Sequence, residues 1–301
     1  MTFDHLGTKG VVLAFGVFDG IHIGHQAIIK RVVERAKLLG TESVIITFDP
    51  HPALSTSGTA PPMITTIEKK VEIIRSLGID RISIEDFNDE FSKLSPEEFV
   101  KNILIDKFNA REIVAGYDCA FGKDKAGDKL LLKKLGEKYG YMVHIIEPYR
   151  LEGDVVSSTR VRTAISQGNI ELANKLLGRY YSIIGKVIHG KGLGRQLGYA
   201  TANLDLENVV LPPYGVYAAK ALVDGKMFDA MLYMGVQPTF KDNGFIVEVH
   251  LMDFEGIIYG KELEVFFLGK IRDEKRFSSI EELVEQIKQD EISVKQLIAK
   301  I

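Results

Sequence analysis

The sequence has a single cysteine, Cys119, in 301 residues. That excludes an intrachain disulfide and points to a reducing compartment, with Cys119 read as a small core residue. No apolar run is long enough to span a bilayer, and the opening MTFDHLGTKG is too polar for a secretory signal. A cytoplasmic protein with no membrane partner is therefore expected. Charge of one sign is also lacking. Lys and Arg number 38 against 41 Asp and Glu, a net charge of -3, which argues against a general nucleic-acid binder. Anionic substrates would have to be held by local clusters. Repeats and low-complexity segments are absent. What remains, 46% hydrophobic and 26% charged residues, suffices for two globular domains.

Residues 16–25, GVFDGIHIGH, organise the chain. They follow an apolar run at 11–15, VVLAF, that reads as a buried parallel strand. They precede a helical pattern, Ile28, Ile29, Val32, Val33, Ala36 and Leu39, closed by Gly40. The stretch is thus a strand-to-helix corner. Gly16, Gly20 and Gly24 permit close backbone approach to a ligand. The helix start offers N–H groups and a positive dipole end to an anion. His22 and His25 are three apart and can share one side of the first turn, where two imidazoles suit a polyphosphate whose charge rises during reaction. Two plainer readings stand beside this one. The pair could ligate zinc, against which count the single Cys and the lack of a nearby third ligand. Both could instead be satisfied structural histidines, against which count the glycines and the helix start.

A second buried strand, SVIITF at 43–48, ends in Asp49-Pro50-His51-Pro52, where two prolines stop the strand and stiffen the loop. So compact a βαβ unit implies a right-handed crossover and a parallel sheet, with ligands at the carboxyl ends of its strands. His22, His25 and His51 all fall there, so His51 is a candidate nucleotide contact as well as an ordinary loop residue. Capping boxes, Thr65 with Glu68 and Ser95 with Glu98, start two scaffold helices. Short strands are expected over 79–87, 112–115 and 143–146. In GYDCAFG at 116–122, Phe121 can stack on a planar ligand or be a core aromatic. In VVSSTRVR at 155–162, Ser157, Ser158 and Thr159 can cap a helix running to Gly168. With Arg160 and Arg162 they make a second phosphate-binding helix start, although capping alone explains the hydroxyls.

From about residue 181 the pattern changes to short strands with hairpin turns at Asp224-Gly225 and Glu255-Gly256, hence an antiparallel second domain, a small barrel. Two terminal helices are expected, at 278–289 and 292–301. Gly185, Gly190 and Lys191 mimic a P-loop, but Gly192 stands where Ser or Thr is required, and that reading is rejected. The glycines of GKGLGRQLGYATAN at 190–203, Gly190 and Gly194 among them, and Arg195 can still cradle phosphate, and Thr201 and Asn203 offer oxygen ligands to Mg²⁺. Residues 235–240, GVQPTF, read as a rigid turn. Glu248 lies between Val247 and Val249. Alternation puts it on one face with His250, toward a cleft or solvent, while the valines pack.

These segments together resemble the bacterial bifunctional riboflavin kinase/FAD synthetases, over nearly the whole chain and in the family's order. Gly16, Phe18, Asp19, Gly20, His22, Gly24 and His25 match the G-x-F-D-G-x-H-x-G-H form of the HxGH nucleotidyltransferase signature. TFDPHP matches T-F-x-P-H-P, and residues 156–162 resemble I-S-S-T-x-x-R with Val156 for Ile. Gly116, Asp118, Phe121, Gly122 and Gly127 fit G-x-D-F-x-F-G-x-x-R-x-G, with Cys119 where Phe is usual and Lys125 where Arg is usual. Lys keeps the charge and loses the planar fork. The second half fits G-R-x-x-G-x-P-T-A-N with Ala200 for Pro, then P-T-F. Glu248, Asp253, Phe254, Tyr259 and Gly260 fit E-x-x-x-x-D-F-x-x-x-x-Y-G.

The resemblance implies an α/β Rossmann-like nucleotidyltransferase domain over 1–180 and a small antiparallel β-barrel domain with C-terminal helices over 181–301. It implies a bifunctional transferase acting on riboflavin, FMN and ATP with Mg²⁺: riboflavin kinase in the barrel, FMN adenylyltransferase in the first domain. Glu248 would be the general base, and Thr201 and Asn203 would lie at the metal and the ATP phosphates, with Gly190, Lys191, Gly194 and Arg195 around the nucleotide. His22, His25 and Arg160, with Ser158 and Thr159, would serve adenylyl transfer. Gly16, Phe18, Asp19, Gly20, Gly24, His51, Ser157 and Arg162 would contact nucleotide, and Asp118 and Phe121 the flavin. Oligomeric state is left open. The alternatives are an enzyme with one working half, or a non-catalytic flavin-binding regulator on the same domains. Intact reactive positions in both halves argue against the latter.

Overall fold

A computed structural model describes residues 10–190, 194, 197–236 and 245–301. Its contacts divide the chain into a first unit, Met1–Pro62 with Ile67–Ser157, and a second, Met63–Thr66 with Ser158–Ile301. In the first unit the elements run β1 (Val11–Phe15), α1 (Ile23–Leu39), β2 (Glu42–Asp49), α2 (Pro52–Ser57), α3 (Ile67–Ser76), β3 (Arg81–Asp86), α4 (Asp89–Ser92) and α5 (Pro96–Glu98). The chain continues from α5 as a wide-turned helix, Phe99–Lys107, into β4 (Ala110–Gly116), α6 (Lys129–Tyr139), β5 (Met142–Ile146) and a small hairpin, β6 (Arg150–Leu151) and β7 (Asp154–Val155).

The five main strands are all parallel, in the order β3-β2-β1-β4-β5. Alternation along the central strands explains how both faces are filled. Leu13, Val44 and Ile46 enter one cluster with Phe99, Val100, Leu104, Leu132 and Leu135. Val12, Ala14 and Ile45 enter the opposite cluster with Ile29, Val32 and Ala36 of α1. The chain leaves β1 toward β2 and later returns to β4 on the other side. The corner after β1 is therefore the topological switch point, where such sheets open a crevice at their carboxyl edge. Gly40 closes α1 in the left-handed conformation, and Ser95 and Glu98 form the expected capping box. Helix α2 is among the elements additional to the sequence reading. After the cis Asp49–Pro50 bond, His51 caps α2 through Nδ1, which accepts the Ala53 N–H at 3.1 Å.

The second unit contains α7 (Ser158–Ser166), α8 (Ile170–Leu177), β8 (Ser182–Ile188), β9 (Ala202–Leu206), β10 (Gly215–Val223), β11 (Lys226–Val236), β12 (Phe245–Leu251), β13 (Glu262–Asp273) and α9 (Ile280–Ile298). The six strands close a barrel in the order β10-β11-β12-β9-β8-β13. The turn at Asp224-Gly225 is as expected: Val223 faces Lys226, and both turn residues have positive φ, 51° and 74°. The hairpin expected across Glu255-Gly256 does not form. β12 pairs with β11 and β9, and β13 pairs with β10 and β8, so residues 252–261 connect strands that are not neighbours. The two expected terminal helices are one. No Gly or Pro interrupts α9, and Ser293 and Lys295 bond back to Gln289 and Glu291 across the expected break. Helix α9 covers an outer face of the barrel, packing Val294 with Val216, Ala218, Met231 and Leu268. Arg272 of β13 grips its buried Asp290 through Nε and Nη2 at 2.7–3.0 Å.

Candidate active sites

In the first unit, His22 is the N-cap of α1. Its Nδ1 accepts the His25 N–H at 3.2 Å, so the ring proton belongs on Nε2. The rings of His22 and His25 stack with centroids 3.7 Å apart and planes 17° apart. Gly24 suits this arrangement: a Cβ there would lie 3.2 Å from the His22 ring, a tight contact. The glycine thus makes room for the histidine of its own motif. Phe18 stands edge-on to His25 at 5.3 Å and is itself buried, so it supports the histidine directly. His25 Nδ1 is shielded from solvent and has no hydrogen-bond partner among the described residues. Burial, then His22 and Lys70, hold the His25 imidazole well below its ordinary 6.5, so it is neutral near pH 7. Asp19 is buried beside this corner, and the Gly16 N–H bonds Ile46 of β2 at 3.0 Å. The zinc alternative finds no third protein ligand among the described residues.

At the end of β4, Asp118 is exposed, with its Oδ1 over Gly116. Phe121 is 5% exposed and lies in the core between Phe15 and Phe99, both at 5.8 Å. Of its two readings, the core aromatic describes this structure; no ring face is presented to a flavin. Cys119 packs against the same core, and burial pushes its thiol up to about 11, which leaves it inert near neutrality. Ser157 ends the first unit, and Ser158, Thr159, Arg160 and Arg162 lie in the first turns of α7 in the second.

In the barrel, Glu248 of β12 faces Asn203 of β9 on one side and Tyr233 of β11 on the other. Directly opposed residues share a face, so these three side chains form one row. Val247 and Val249 point to the buried side, as alternation required. The Thr201 hydroxyl hydrogen-bonds Glu248, and burial nevertheless raises the carboxyl above its ordinary value. Tyr233 Oη donates to Glu274 at 2.8 Å, and His250 Nδ1 lies 2.9 Å from the Ala200 carbonyl. Tyr233 is a neighbour that the sequence reading missed; only strand register reveals it. Gly190 and Gly194 close over the two expected metal ligands. A Cβ on Gly190 would fall 2.0 Å from Asn203 Nδ2, and one on Gly194 would fall 3.2 Å from Thr201 Oγ1. The Thr201 hydroxyl and the Asn203 amide oxygen are hard-oxygen donors of the kind that fit Mg²⁺. Lys191, Arg195 and residues 237–240 of the turn expected at 235–240 lie outside the described residues, while Gly235 and Val236 belong to β11.

A doubly wound sheet with paired histidines at its switch point, joined to a small barrel with a half-buried carboxylate, defines a two-domain nucleotide-dependent transferase. Comparison with known proteins agrees half by half. The FAD synthetase family matches residues 5–160 and the riboflavin kinase family residues 177–298. A bifunctional riboflavin kinase/FMN adenylyltransferase from Listeria monocytogenes is 37% identical, covering 100% of this chain and 96% of the relative. One from Pseudomonas fluorescens is 39% identical, covering 97% and 94%. The chain belongs to the bifunctional riboflavin kinase/FMN adenylyltransferase family. A solved structure from Streptococcus pneumoniae, titled a macrolide-efflux protein, aligns with TM-score 0.88 and 33% identity over 97% of this chain and 96% of its own. Among the described residues here, no helix is long and apolar enough to cross a membrane.

Proposed function

We propose that this protein phosphorylates riboflavin to FMN in its barrel and adenylylates FMN to FAD in its first domain. The observation that carries the reading is that each half assembles its own reactive set: stacked His22 and His25 at the sheet's switch point, and Glu248 with Thr201 and Asn203 in the barrel. The one-half enzyme and the non-catalytic regulator gain no support, since both families match and the full-length relatives carry both activities in their names.

In the kinase half, Glu248 removes the proton from the ribityl 5′-hydroxyl, whose oxygen attacks the γ-phosphorus of ATP, with ADP leaving. Partial burial raises the basicity of this carboxylate, and Thr201 orients it. Thr201 and Asn203 would hold Mg²⁺, and Gly190 and Gly194 leave the space for phosphate against them. When bound, the ion neutralises phosphate charge.

In the adenylyltransferase half, an oxygen of the FMN phosphate attacks the α-phosphorus of a second ATP and pyrophosphate leaves. No protein nucleophile is needed, so positioning and charge stabilisation carry the step. His22 donates from Nε2, and neutral His25, stacked on it, stands on the same side of the helix start. Ser158, Thr159, Arg160 and Arg162 supply hydroxyls and guanidinium groups at the start of α7. Asp118 is kept as a flavin contact, and His51 as a nucleotide contact in addition to its cap. In this reading the boundary between the catalytic domains lies near residue 180, and the protein works in the cytoplasm. Incubation with riboflavin and MgATP, followed by chromatography, tests the reading: FMN and FAD are both expected. FMN alone, or FAD only from supplied FMN, would leave one working half, and no turnover would leave a binding protein.

A further inference from the structure

Lys70 is a buried group that neither reaction uses. It lies on α3 and is 1% exposed, in a helix whose other lysine, Lys69, pairs with Glu72 at 2.9 Å. Unpaired burial of an ammonium is costly, so such a residue is held by something. Its Nζ reaches the Thr47 hydroxyl at 3.5 Å, and that hydroxyl donates to the Val17 carbonyl at 3.1 Å. One long hydrogen bond does not satisfy three donors. Desolvation lowers its pKa, and Asp19 of the corner and Asp49 at the end of β2 oppose that by favouring the protonated form. Asp19 is itself 2% exposed. Lys70 therefore stands where the two histidine-bearing segments meet the sheet: the corner that carries His22 and His25, and the strand end that precedes His51.

We propose that Lys70 is a positioning residue for adenylyl transfer, a buried cation set under the Thr47–Val17 contact that joins β2 to the histidine corner, and that it thereby fixes the stacked histidines. This rests on the adenylyltransferase reading of the first domain. Its field also reaches His25. The groups facing His25 are His22, the Phe18 ring and Lys70, with Asp19 and Asp49 facing Lys70 in turn. Lys70 lowers the His25 pKa, and removing the cation takes that influence away. Its loss favours protonated His25, so the neutral imidazole would be lost at higher pH than in the wild type.

The test uses the full chain, with FAD formation from FMN and MgATP measured beside riboflavin phosphorylation. Lys70→Met keeps most of the shape and loses the charge. Expected are a fall in kcat for FAD formation of about tenfold to a hundredfold, the scale of a slightly misplaced constellation, with KM within about threefold and FMN formation unchanged. The acid limb of kcat/KM should move to higher pH. Lys70→Arg should recover most of the rate and the wild-type limb. A folded Lys70→Met enzyme with wild-type kcat and an unmoved limb would overturn the proposal, as would an Arg variant no better than Met. If Lys70→Met does not fold, Lys70→Met/Asp49→Asn removes the orphaned carboxylate. A low rate with the raised limb in that pair supports the proposal, and a wild-type rate and limb overturns it. Absence of FAD from the wild type would instead mean that the adenylyltransferase reading had failed.

Discussion

His22 accepts the backbone N–H of His25 at 3.2 Å while the two rings stack at 3.7 Å, so one histidine both caps the helix and carries the other. The capping bond and the ring stack are made by the same side chain. That couples the geometry of the site to the start of α1, and it makes the two residues unequal in what their loss should do.

For His25, loss should be functional. His25→Ala removes the outer ring and leaves the cap intact. FAD formation should fall by roughly two orders of magnitude, the scale of one lost transition-state contact, with FMN formation unchanged. Equal loss of both activities would instead point to folding damage. The same variant reports a pH effect. His25 titrates lower in the folded protein than the ordinary 6.5. Its contribution to stability is complete above about pH 6.5 and is lost as pH falls through the depressed folded value, because the unfolded chain takes up the proton first. The wild-type melting temperature should therefore fall more steeply below pH 6.5 than that of His25→Ala.

Glu248→Gln separates a base from an ordinary strand carboxylate. The amide keeps the shape and can still accept from Thr201, so MgATP binding and FAD synthesis from supplied FMN should hardly change. Riboflavin phosphorylation should fall by ~10²–10⁴-fold, the usual contribution of a general base. Rapid-quench assay of FMN formation decides it. A wild-type rate would transfer the role elsewhere, with Asp253 next to be tested.

The two activities should separate, and the structure says where to cut. Asn174 of α8 donates to the Phe267 carbonyl at 3.0 Å and accepts the Tyr181 N–H at 2.7 Å, tying α8 to β13 and to the chain entering β8. A fragment beginning at Leu177 should phosphorylate riboflavin, but with stability lower by about 2 kcal/mol or more than one beginning at Ser158, since each hydrogen bond is worth roughly 1 kcal/mol. Denaturant titration of the two fragments measures the difference. If the longer fragment folded and bound its substrates yet formed no FMN, the kinase assignment to this half would be wrong.

The terminal helix should depend on one buried ion pair. Asp290 is 2% exposed and held by Arg272. Arg272→Ala leaves that carboxylate buried and unpaired, a loss of about 3–5 kcal/mol. Arg272→Met with Asp290→Leu should be much milder. Equal destabilisation by the single and double variants, read from urea melts, would show that packing rather than charge holds α9.

What the sequence determined by itself was local. The VVLAF strand, the α1 pattern ending at Gly40, the Ser95 capping box and the Asp224-Gly225 turn each depend on a few adjacent residues. The pairing of His22 with His25 was legible for the same reason, since three-residue spacing on a helix start dictates proximity. The change from long helices to short alternating strands announced the second domain. The continuity of α9 was not visible in the pattern. It is set by backward bonds from Ser293 and Lys295 and by burial of Asp290 and Val294.

Only the tertiary structure decided the partners of distant segments. Residues in β12 and β13 carry no mark of which edges they will share, because closure of the barrel satisfies all the backbone groups together. That closure separated the two strands and set Tyr233 beside Glu248. Phe121 could have served either a ligand or the core until Phe15 and Phe99 were seen to enclose it. Lys70 reads in sequence as one of two adjacent helical lysines. Packing α3 on the sheet buried it among Thr47, Asp19 and Asp49 while Lys69 remained beside Glu72. Sequence periodicity says which face of a helix is apolar, but the charges that will meet a buried cation come from segments far away in the chain, and only folding brings them together.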